Sequence, residues 1–175
     1  MIEMKVAESL VEAKDFDFIA MGRPEGPGCY CYANNVLKSA IQQISSNYPY
    51  VLLDNEAGLE NLSRRIVQKV DLLIMVADPS FRGIETLKRL YLLAKEMDIK
   101  FGKIAFIINR LRSNHYPEQA ELLKSELGID YLIGIPDNSE LAAYSEEGRP
   151  LLELPDNNEV VKRLNQLLKD AGIIN

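Results

Sequence analysis

Five short apolar runs alternate with helical patterns along the chain, and this alternation constrains the fold more than any other feature. The runs are almost continuously hydrophobic, and each ends in polar or turn residues. They cover residues 15–22 (DFDFIAMG), 50–54 (YVLLD), 71–78 (DLLIMVAD), 103–110 (KIAFIINR) and 130–136 (DYLIGIP). Continuous runs are typical of parallel strands with helices on both faces of the sheet. The sequence therefore predicts one doubly wound, mostly parallel α/β domain over residues 1–175.

Two segments between or after these runs have the spacing of amphipathic helices. In residues 82–97, apolar side chains recur at helical spacing at Ile84, Leu87, Tyr91 and Ala94. The last helix is predicted to begin with Asp156 as its cap and Glu159 three residues later. Its apolar stripe is formed by Val160, Leu164, Leu167, Leu168 and Ala171.

Composition excludes several classes of protein. Hydrophobic residues make up 47% of the 175 residues and charged residues 26%, as in ordinary globular domains. No apolar run approaches the roughly 20 residues that span a bilayer, and the first residues, MIEMKVAESL, do not resemble a secretory signal. We therefore expect a cytoplasmic protein that does not bind membranes. The net charge of -6 argues against nonspecific nucleic-acid binding, although a local basic patch is compatible with this average.

Polar residues follow several of the predicted strands, where parallel α/β sheets bind their ligands. Asp54 could hold a magnesium-bound water and Gly58 could bring an amide close to a phosphate, although the pair also suits a simple turn. Asn109, followed by Arg110, carries a donor and an acceptor suited to a purine edge, or else forms a strand-end turn. Pro136 and Asp137 follow the last strand.

The phosphate-binding motifs of nucleotide enzymes are absent from these 175 residues. A P-loop needs G-x-x-x-x-G-K-[ST], but the single Gly-Lys pair, Gly102-Lys103, is followed by Ile104. The GPGC segment lacks the third glycine of a dinucleotide fingerprint. The first predicted strand is therefore not expected to bind nucleotide.

The segment GRPEGPGCYCYANN, residues 22–35, contains the only two cysteines, Cys29 and Cys31. A disulfide between them would close a very small, strained ring, so free thiols or metal thiolates are favoured. The next segment, ANNVLKSAIQQI, is predicted to be a helix, whose N-terminus would stabilise nearby thiolates. The alternative is that the two cysteines pack as small apolar residues.

Several segments together resemble the accessory ATPases of carbon monoxide dehydrogenase, which assist nickel insertion and are relatives of MinD and the nitrogenase iron protein. The resemblance covers nearly the whole chain. Its most specific part is the Cys-x-Cys loop followed by D-x-E-A-G, and the later motifs are shared with other MinD-like ATPases. The segments are GRPEGPGCYCYANN, VLLDNEAGLENLSRR, VADPSFRGIETLKRL, IINR and GIPDNSELAAYSEEGRPL.

The resemblance implies a role for each matching residue. Asp54 and Gly58 resemble the second switch, which senses magnesium and the γ-phosphate. Asn109 resembles the Asn that reads adenine, with Arg110 beside it, while Pro136 and Asp137 resemble the loop near the base and ribose. Cys29 and Cys31 match the family's metal-binding pair at a dimer interface.

The resemblance also implies that a P-loop and a first switch with a catalytic aspartate precede the segment matched by MIEMK. A truncated protein, a misassigned start and a natural remnant are three explanations that stay open. In each case we expect no ATP hydrolysis by these 175 residues alone.

Zinc prefers four tetrahedral ligands, and the chain offers two thiols. A twofold dimer that brings two Cys29-x-Cys31 loops together would supply four thiolates, suited to Zn²⁺ or, in a flatter geometry, to Ni²⁺.

Two hypotheses about function follow. The first is an ATP-dependent nickel-delivery factor with carbon monoxide dehydrogenase as its client. The second is a noncatalytic dimeric metal-binding or interaction module that keeps the nucleotide fold as a scaffold. The sole histidine, His115, is expected in a solvated loop.

Overall fold

The computed structural model describes residues 10–20, 38, 39, 41, 43, 45–55, 69–113 and 115–175. The chain divides into two compact units, residues 1–67 and residues 68–175. The prediction of a single domain over residues 1–175 stays a prediction.

The first unit contains a short antiparallel hairpin. Strand β1 (Leu10–Glu12) pairs with strand β2 (Asp17–Ile19), and the amide of Ala13 donates to the carbonyl of Phe16 at 3.0 Å across the turn. The prediction that residues 15–22 join a parallel sheet is therefore wrong, because the strand within the described part of that run, Asp17–Ile19, pairs antiparallel. Its side chains are not buried either, since Phe18 is 54% exposed.

The segment that follows in this unit is helical and then extended without strand pairing. Lys38, Ser39, Ile41 and Gln43 are helical, in agreement with the predicted helix, and a 3₁₀ turn covers Ser45–Asn47. The predicted buried strand at residues 50–54 is wrong, because Tyr50, Val51 and Leu52 are 60%, 49% and 89% exposed and form no strand. An apolar run becomes a strand only where another strand pairs with it, and none of the described residues pairs with this one.

The second unit is built on a parallel three-stranded sheet. Strands β3 (Lys69–Ala77), β4 (Lys100–Leu111) and β5 (Tyr131–Pro136) lie in the order β3-β4-β5. The register pairs Met75 with Phe106 and Ile107 with Ile133. These strands confirm the predicted runs 71–78, 103–110 and 130–136 to within three residues at each end. The central strand is the most buried, since Ile104 through Ile108 are all at most 5% exposed.

Four helices accompany the sheet. Helix α1 (Phe81–Glu96) follows β3 and helix α2 (Glu118–Leu127) follows β4, so each pair of neighbouring parallel strands is connected through a helix. Helices α3 (Ser139–Glu146) and α4 (Glu159–Asp170) come after β5. Val160 and Leu167 of α4 pack on one face of the sheet with Ala105, Ile107 and Ile135. Because side chains alternate along a strand, Ile104, Phe106 and Ile108 point to the opposite face, which confirms the predicted doubly wound α/β fold.

The cap of α4 differs from its prediction. Asn158 caps the helix, with its Oδ1 accepting from the amide of Val160 at 2.9 Å, whereas Asp156 lies two residues earlier. The predicted stripe is largely confirmed, because Val160, Leu167 and Ala171 are buried and Leu168 is half-buried. Leu164 lies at the margin of the stripe, with 36% of its surface exposed.

Side chains occupy the outer edge of β5. The hydroxyl of Tyr116 accepts from the amide of Gly134 at 3.0 Å and donates to the carbonyl of Leu132 at 3.2 Å. Arg163 Nη1 donates to the carbonyl of Gly134 at 2.5 Å. An added Cβ at position 134 would lie 2.3 Å from Leu111 Cδ1 and 3.0 Å from Tyr116 Cε1, so the side chain of Leu111 would have to move. Three outward backbone groups of the strand, the carbonyl of Leu132 and both groups of Gly134, thus have side-chain partners.

Candidate functional site

Polar residues gather at the carboxyl end of the parallel sheet. Asp78 follows β3, Asn109 and Arg110 lie near the end of β4, and Asp137 follows Pro136 at the end of β5. Parallel strands place these ends at one edge of the sheet, where open α/β folds bind ligands. The structure therefore brings Asn109, Arg110, Pro136 and Asp137 to one edge, as the sequence predicts.

The end of β4 changes its backbone direction at Arg110. Arg110 adopts a φ of 59°, in the left-handed region that residues other than glycine rarely occupy. Its amide donates to Oδ1 of Asn109 at 2.9 Å, so the side chain of Asn109 folds back onto the turn. This turn coincides with the irregular pairing between Ile108 and Leu111. Asn109 is half-buried and Arg110 is exposed.

Arg110 links the ends of β4 and β5. Its Nε lies 3.7 Å from Oδ1 of Asp137, and the amide of Asp137 donates to the carbonyl of Leu111 at 2.9 Å. The backbone bond fixes the position at which the chain leaves β5. The ion pair is open to solvent, so it contributes mainly to local charge arrangement and little to stability.

Asp78 belongs to the same edge, although sequence analysis assigned it no role. Its Oδ1 accepts from the amide of Ser80 at 2.9 Å, and the Ser80 hydroxyl in turn accepts from the amide of Gly83 to cap α1. Hydrogen bonding from Ser80 holds the pKa of Asp78 below its ordinary value, and the charge of Arg110 acts in the same direction. The available signal was Asp-Pro-Ser directly after an apolar run, which is typical of a turn into a capped helix.

Gly83 lets α1 begin this close to the edge. A Cβ at this position would lie 2.5 Å from the carbonyl oxygen of Asp78 and 2.6 Å from its Oδ1. Because real side chains do not approach backbone atoms so closely, any other residue would displace Asp78 or the first turn of α1. The glycine therefore supports the position of the carboxylate.

The edge presents one guanidinium, two carboxylates and one amide to solvent. Asn109 Oδ1 uses one lone pair on Arg110, and among the described residues none accepts a hydrogen bond from Asn109 Nδ2. The side chain therefore keeps a donor and an acceptor for a ligand. That combination suits an adenine edge, which presents an acceptor beside an amino donor.

The other predicted site residues lie elsewhere along the chain. Asp54 lies in the first unit, where its side chain is exposed. Gly58, Cys29 and Cys31 lie outside the described residues. His115 is exposed in the loop before α2, as expected.

The described residues offer neither a metal cluster nor a membrane-spanning helix. They contain no cluster of three or more His, Cys, Asp or Glu side chains arranged to hold a metal ion. Their helices are also too short or too polar to cross a bilayer.

Comparison with known proteins identifies relatives over most of the chain, while no protein-family model matches it. An uncharacterized ATP-binding protein of Methanocaldococcus jannaschii is 43% identical over 169 residues, which cover 95% of this chain and 65% of the relative. The carbon monoxide dehydrogenase accessory protein CooC of Rhodospirillum rubrum is 30% identical over 130 residues, which cover 74% of this chain and 48% of CooC. The chain thus spans between about half and two thirds of the length of these two relatives.

A solved structure has the same fold. The crystal structure of the cell division ATPase MinD of Pyrococcus furiosus superposes with a TM-score of 0.61 at 18% identity, covering 79% of this chain and 58% of MinD. The first of these sequence relatives is named an ATP-binding protein, and the structural neighbour is named an ATPase. The homologues of this chain are therefore ATP-binding proteins of the MinD and CooC family, and its fold is that of the MinD ATPases.

Proposed function

We propose that the carboxyl edge of the sheet is the base-and-ribose end of an ATP site. The single observation that carries the proposal is the side chain of Asn109, which keeps a donor and an acceptor at the end of the central strand. In the proposed complex, Nδ2 donates to a ring nitrogen of adenine and Oδ1 accepts from its amino group. Guanine presents two acceptors at the corresponding positions, so the same side chain disfavours it.

The other members of the edge have supporting roles in this proposal. Pro136 and Asp137 flank the base and ribose, and Arg110 holds the Asp137 carboxylate while lying beside the base. Asp54 and Gly58 act as the switch that senses magnesium and the γ-phosphate. The ATP-binding relatives support nucleotide binding, and the placement of these residues follows from the resemblance described above.

The test is a calorimetric titration of the 175-residue chain with MgATP, MgADP and MgGTP, in parallel with Asn109→Leu. We expect adenine nucleotides to bind more tightly than MgGTP, and Asn109→Leu to remove this preference. Asn165→Leu, an exposed substitution of the same kind on α4, serves as the matched control and should retain the preference. Equal binding of MgATP and MgGTP by the wild-type chain would contradict the assignment of Asn109.

We further propose that nucleotide binding serves a metal-delivery role. The similarity to CooC supports carbon monoxide dehydrogenase as the client, and the spacing of Cys29 and Cys31 supports a metal site shared by two chains. Four thiolates from a homodimer would bind Zn²⁺ or Ni²⁺, and nucleotide-dependent change at Asp54 and Gly58 would couple ATP to the metal.

Metal content and molecular mass in solution test this role. The reduced chain is compared with Cys29→Ser/Cys31→Ser by elemental analysis and light scattering. We expect about one metal ion per two chains, and loss of both metal and dimer in the double variant. A metal-free chain whose assembly is unchanged by the substitutions would contradict the metal site and would indicate that the two cysteines pack as small apolar residues.

A further inference from the structure

One buried amide joins the first turns of two helices beside the proposed nucleotide edge. Asn158, at the start of α4, is 5% exposed and is the buried polar residue of the described core. Its Nδ2 donates to Glu140 Oε2 at 2.7 Å and to Asn138 Oδ1 at 3.3 Å. Glu140 lies in the first turn of α3, and Asn138 is the cap of that helix.

The loop that Asn158 contacts is the one that carries Asp137. Asn138 Oδ1 also accepts from the amide of Leu141 at 2.8 Å, so its orientation is fixed by two donors. Asp137 is the residue immediately before it, and its amide is held by Leu111 at the end of β4. The short loop between β5 and α3 is therefore held from the sheet on one side and from α4 on the other.

Capping alone does not require asparagine at position 158. Aspartate and serine cap helices about as well, because only a side-chain oxygen is needed. The Nδ2 group performs a second task, since it donates to two residues of α3 and its preceding loop while Oδ1 caps α4. Serine and threonine carry their donor and acceptor on one short hydroxyl, whereas asparagine carries them on two separate atoms, as the contacts of Asn158 use them.

We propose that Asn158 is a positioning residue for the nucleotide site: through Asn138 and Glu140 it fixes the loop that places Asp137 beside Arg110. This inference rests on the proposed function. It assigns to Asn158 an effect on ligand affinity that acts through the loop, with no contact between Asn158 and the nucleotide.

The test uses Asn158→Asp in the full chain, with MgATP as the titrant and thermal melting measured on the same samples. The substitution keeps the size and the capping oxygen but removes the donor and places a second carboxylate next to Glu140. We expect MgATP binding by the folded variant to weaken about tenfold, since a buried contact is lost and the loop is released. Asn158→Ser, which adds no charge, gives the same readout if the aspartate variant does not fold.

A matched control and a rescue separate positioning from general destabilisation. Tyr131→Phe removes the bond of 2.8 Å between Tyr131 and the carbonyl of Asp170, at the opposite end of the same helix. It should lower the melting temperature while leaving MgATP affinity unchanged. In Asn158→Asp/Glu140→Gln, the new glutamine can donate to the new aspartate, so affinity should recover at least in part.

The outcomes distinguish this inference from the proposed function. Weaker MgATP binding in Asn158→Asp, with recovery in the double variant and none of this loss in Tyr131→Phe, supports positioning. Unchanged affinity in Asn158→Asp and Asn158→Ser, with wild-type binding intact, overturns positioning and leaves the proposed function standing. Absence of MgATP binding by the wild-type chain overturns both.

Discussion

The guanidinium of Arg110 and the carboxylate of Asp137 lie across the ends of two neighbouring parallel strands, with Nε and Oδ1 3.7 Å apart. The backbone of Arg110 takes a left-handed conformation where it makes this contact. Strain of this kind at a strand end is consistent with a constrained ligand-binding turn.

A comparison of two substitutions at position 110 isolates the backbone contribution. Arg110→Ala and Arg110→Gly both remove the ion pair, but only glycine accepts a φ of 59° without steric cost. We expect Arg110→Gly to be more stable to unfolding than Arg110→Ala by about 1 kcal/mol. Urea denaturation of the two variants measures the difference, and an alanine variant as stable as the glycine variant would contradict the left-handed conformation.

Ser80 connects the cap of α1 to the charge state of Asp78. Ser80→Ala removes the oxygen that accepts from Gly83, so we expect stability to fall by about 1 kcal/mol. The same substitution removes the side-chain hydrogen bond from Ser80, the largest cause of the lowered pKa of Asp78, but keeps the backbone amide of residue 80, so that pKa should rise part of the way toward its ordinary value. Carboxyl chemical shifts followed from neutral to acidic pH report the change.

The sign of the accompanying pH dependence follows from the direction of the shift. The pKa of Asp78 is lower in the folded state than in the unfolded state. The ionised carboxylate therefore stabilises the folded protein above the unfolded-state pKa of about 3.9, and this stabilisation is lost as pH falls through the folded-state pKa. Ser80→Ala should therefore lose less stability than the wild type on acidification. An equal loss in both proteins would contradict the role of Ser80.

Two leucines of α4 differ in burial and provide a matched pair. Leu167 is fully buried against the sheet, whereas Leu164 is 36% exposed on the same helix. We expect Leu167→Ala to lower the free energy of unfolding by about 2–5 kcal/mol, because it leaves a cavity as well as losing apolar burial. Leu164→Ala should have a clearly smaller effect. Similar losses in urea denaturation would be inconsistent with the packing of α4 described here.

Tyr48 gives the first unit a distinct response to alkaline pH. Its hydroxyl donates to the carboxylate of Asp17, and this bond, above other causes, raises the pKa of Tyr48 above its ordinary value. The stabilisation of the folded state by this bond is present below about pH 10. It is lost as pH rises through the folded-state pKa of Tyr48, because the phenolate cannot donate a hydrogen bond. Absorbance titration should show one late-titrating tyrosine that is absent from Tyr48→Phe. If both proteins titrate alike, the bond to Asp17 is not formed in solution.

Sequence reasoning succeeded where a residue's environment was determined by its own neighbours along the chain. The run at Ile104 through Ile108 is buried on both faces, so its continuous hydrophobicity identified the central strand. The positions of Asn109, Arg110 and Asp137 at the strand ends were predicted because they follow such runs directly, and their binding roles stay predictions. The position of a residue after a buried parallel strand is a strong geometric constraint.

It failed where the outcome depended on a partner that the hydrophobic pattern does not reveal. Residues 50–54 are as apolar as a strand but have no partner among the described residues, and residues 17–19 pair with a strand that the pattern did not predict. Asp156 and Asn158 are both good cap residues, and the contacts to Asn138 and Glu140 favour the second. The role of Asp78 depends in the same way on Ser80 and Arg110.

The contacts of Tyr116 and Arg163 with β5 oppose the addition of a further strand on that side of the sheet. The outward amide and carbonyl of Gly134 already have partners, so a strand from another molecule arriving at this edge would first have to break those bonds. Merging the sheets of two copies through β5 would therefore cost the contacts of Tyr116 and Arg163. Fibril-like stacking along this edge is opposed by the native side chains themselves.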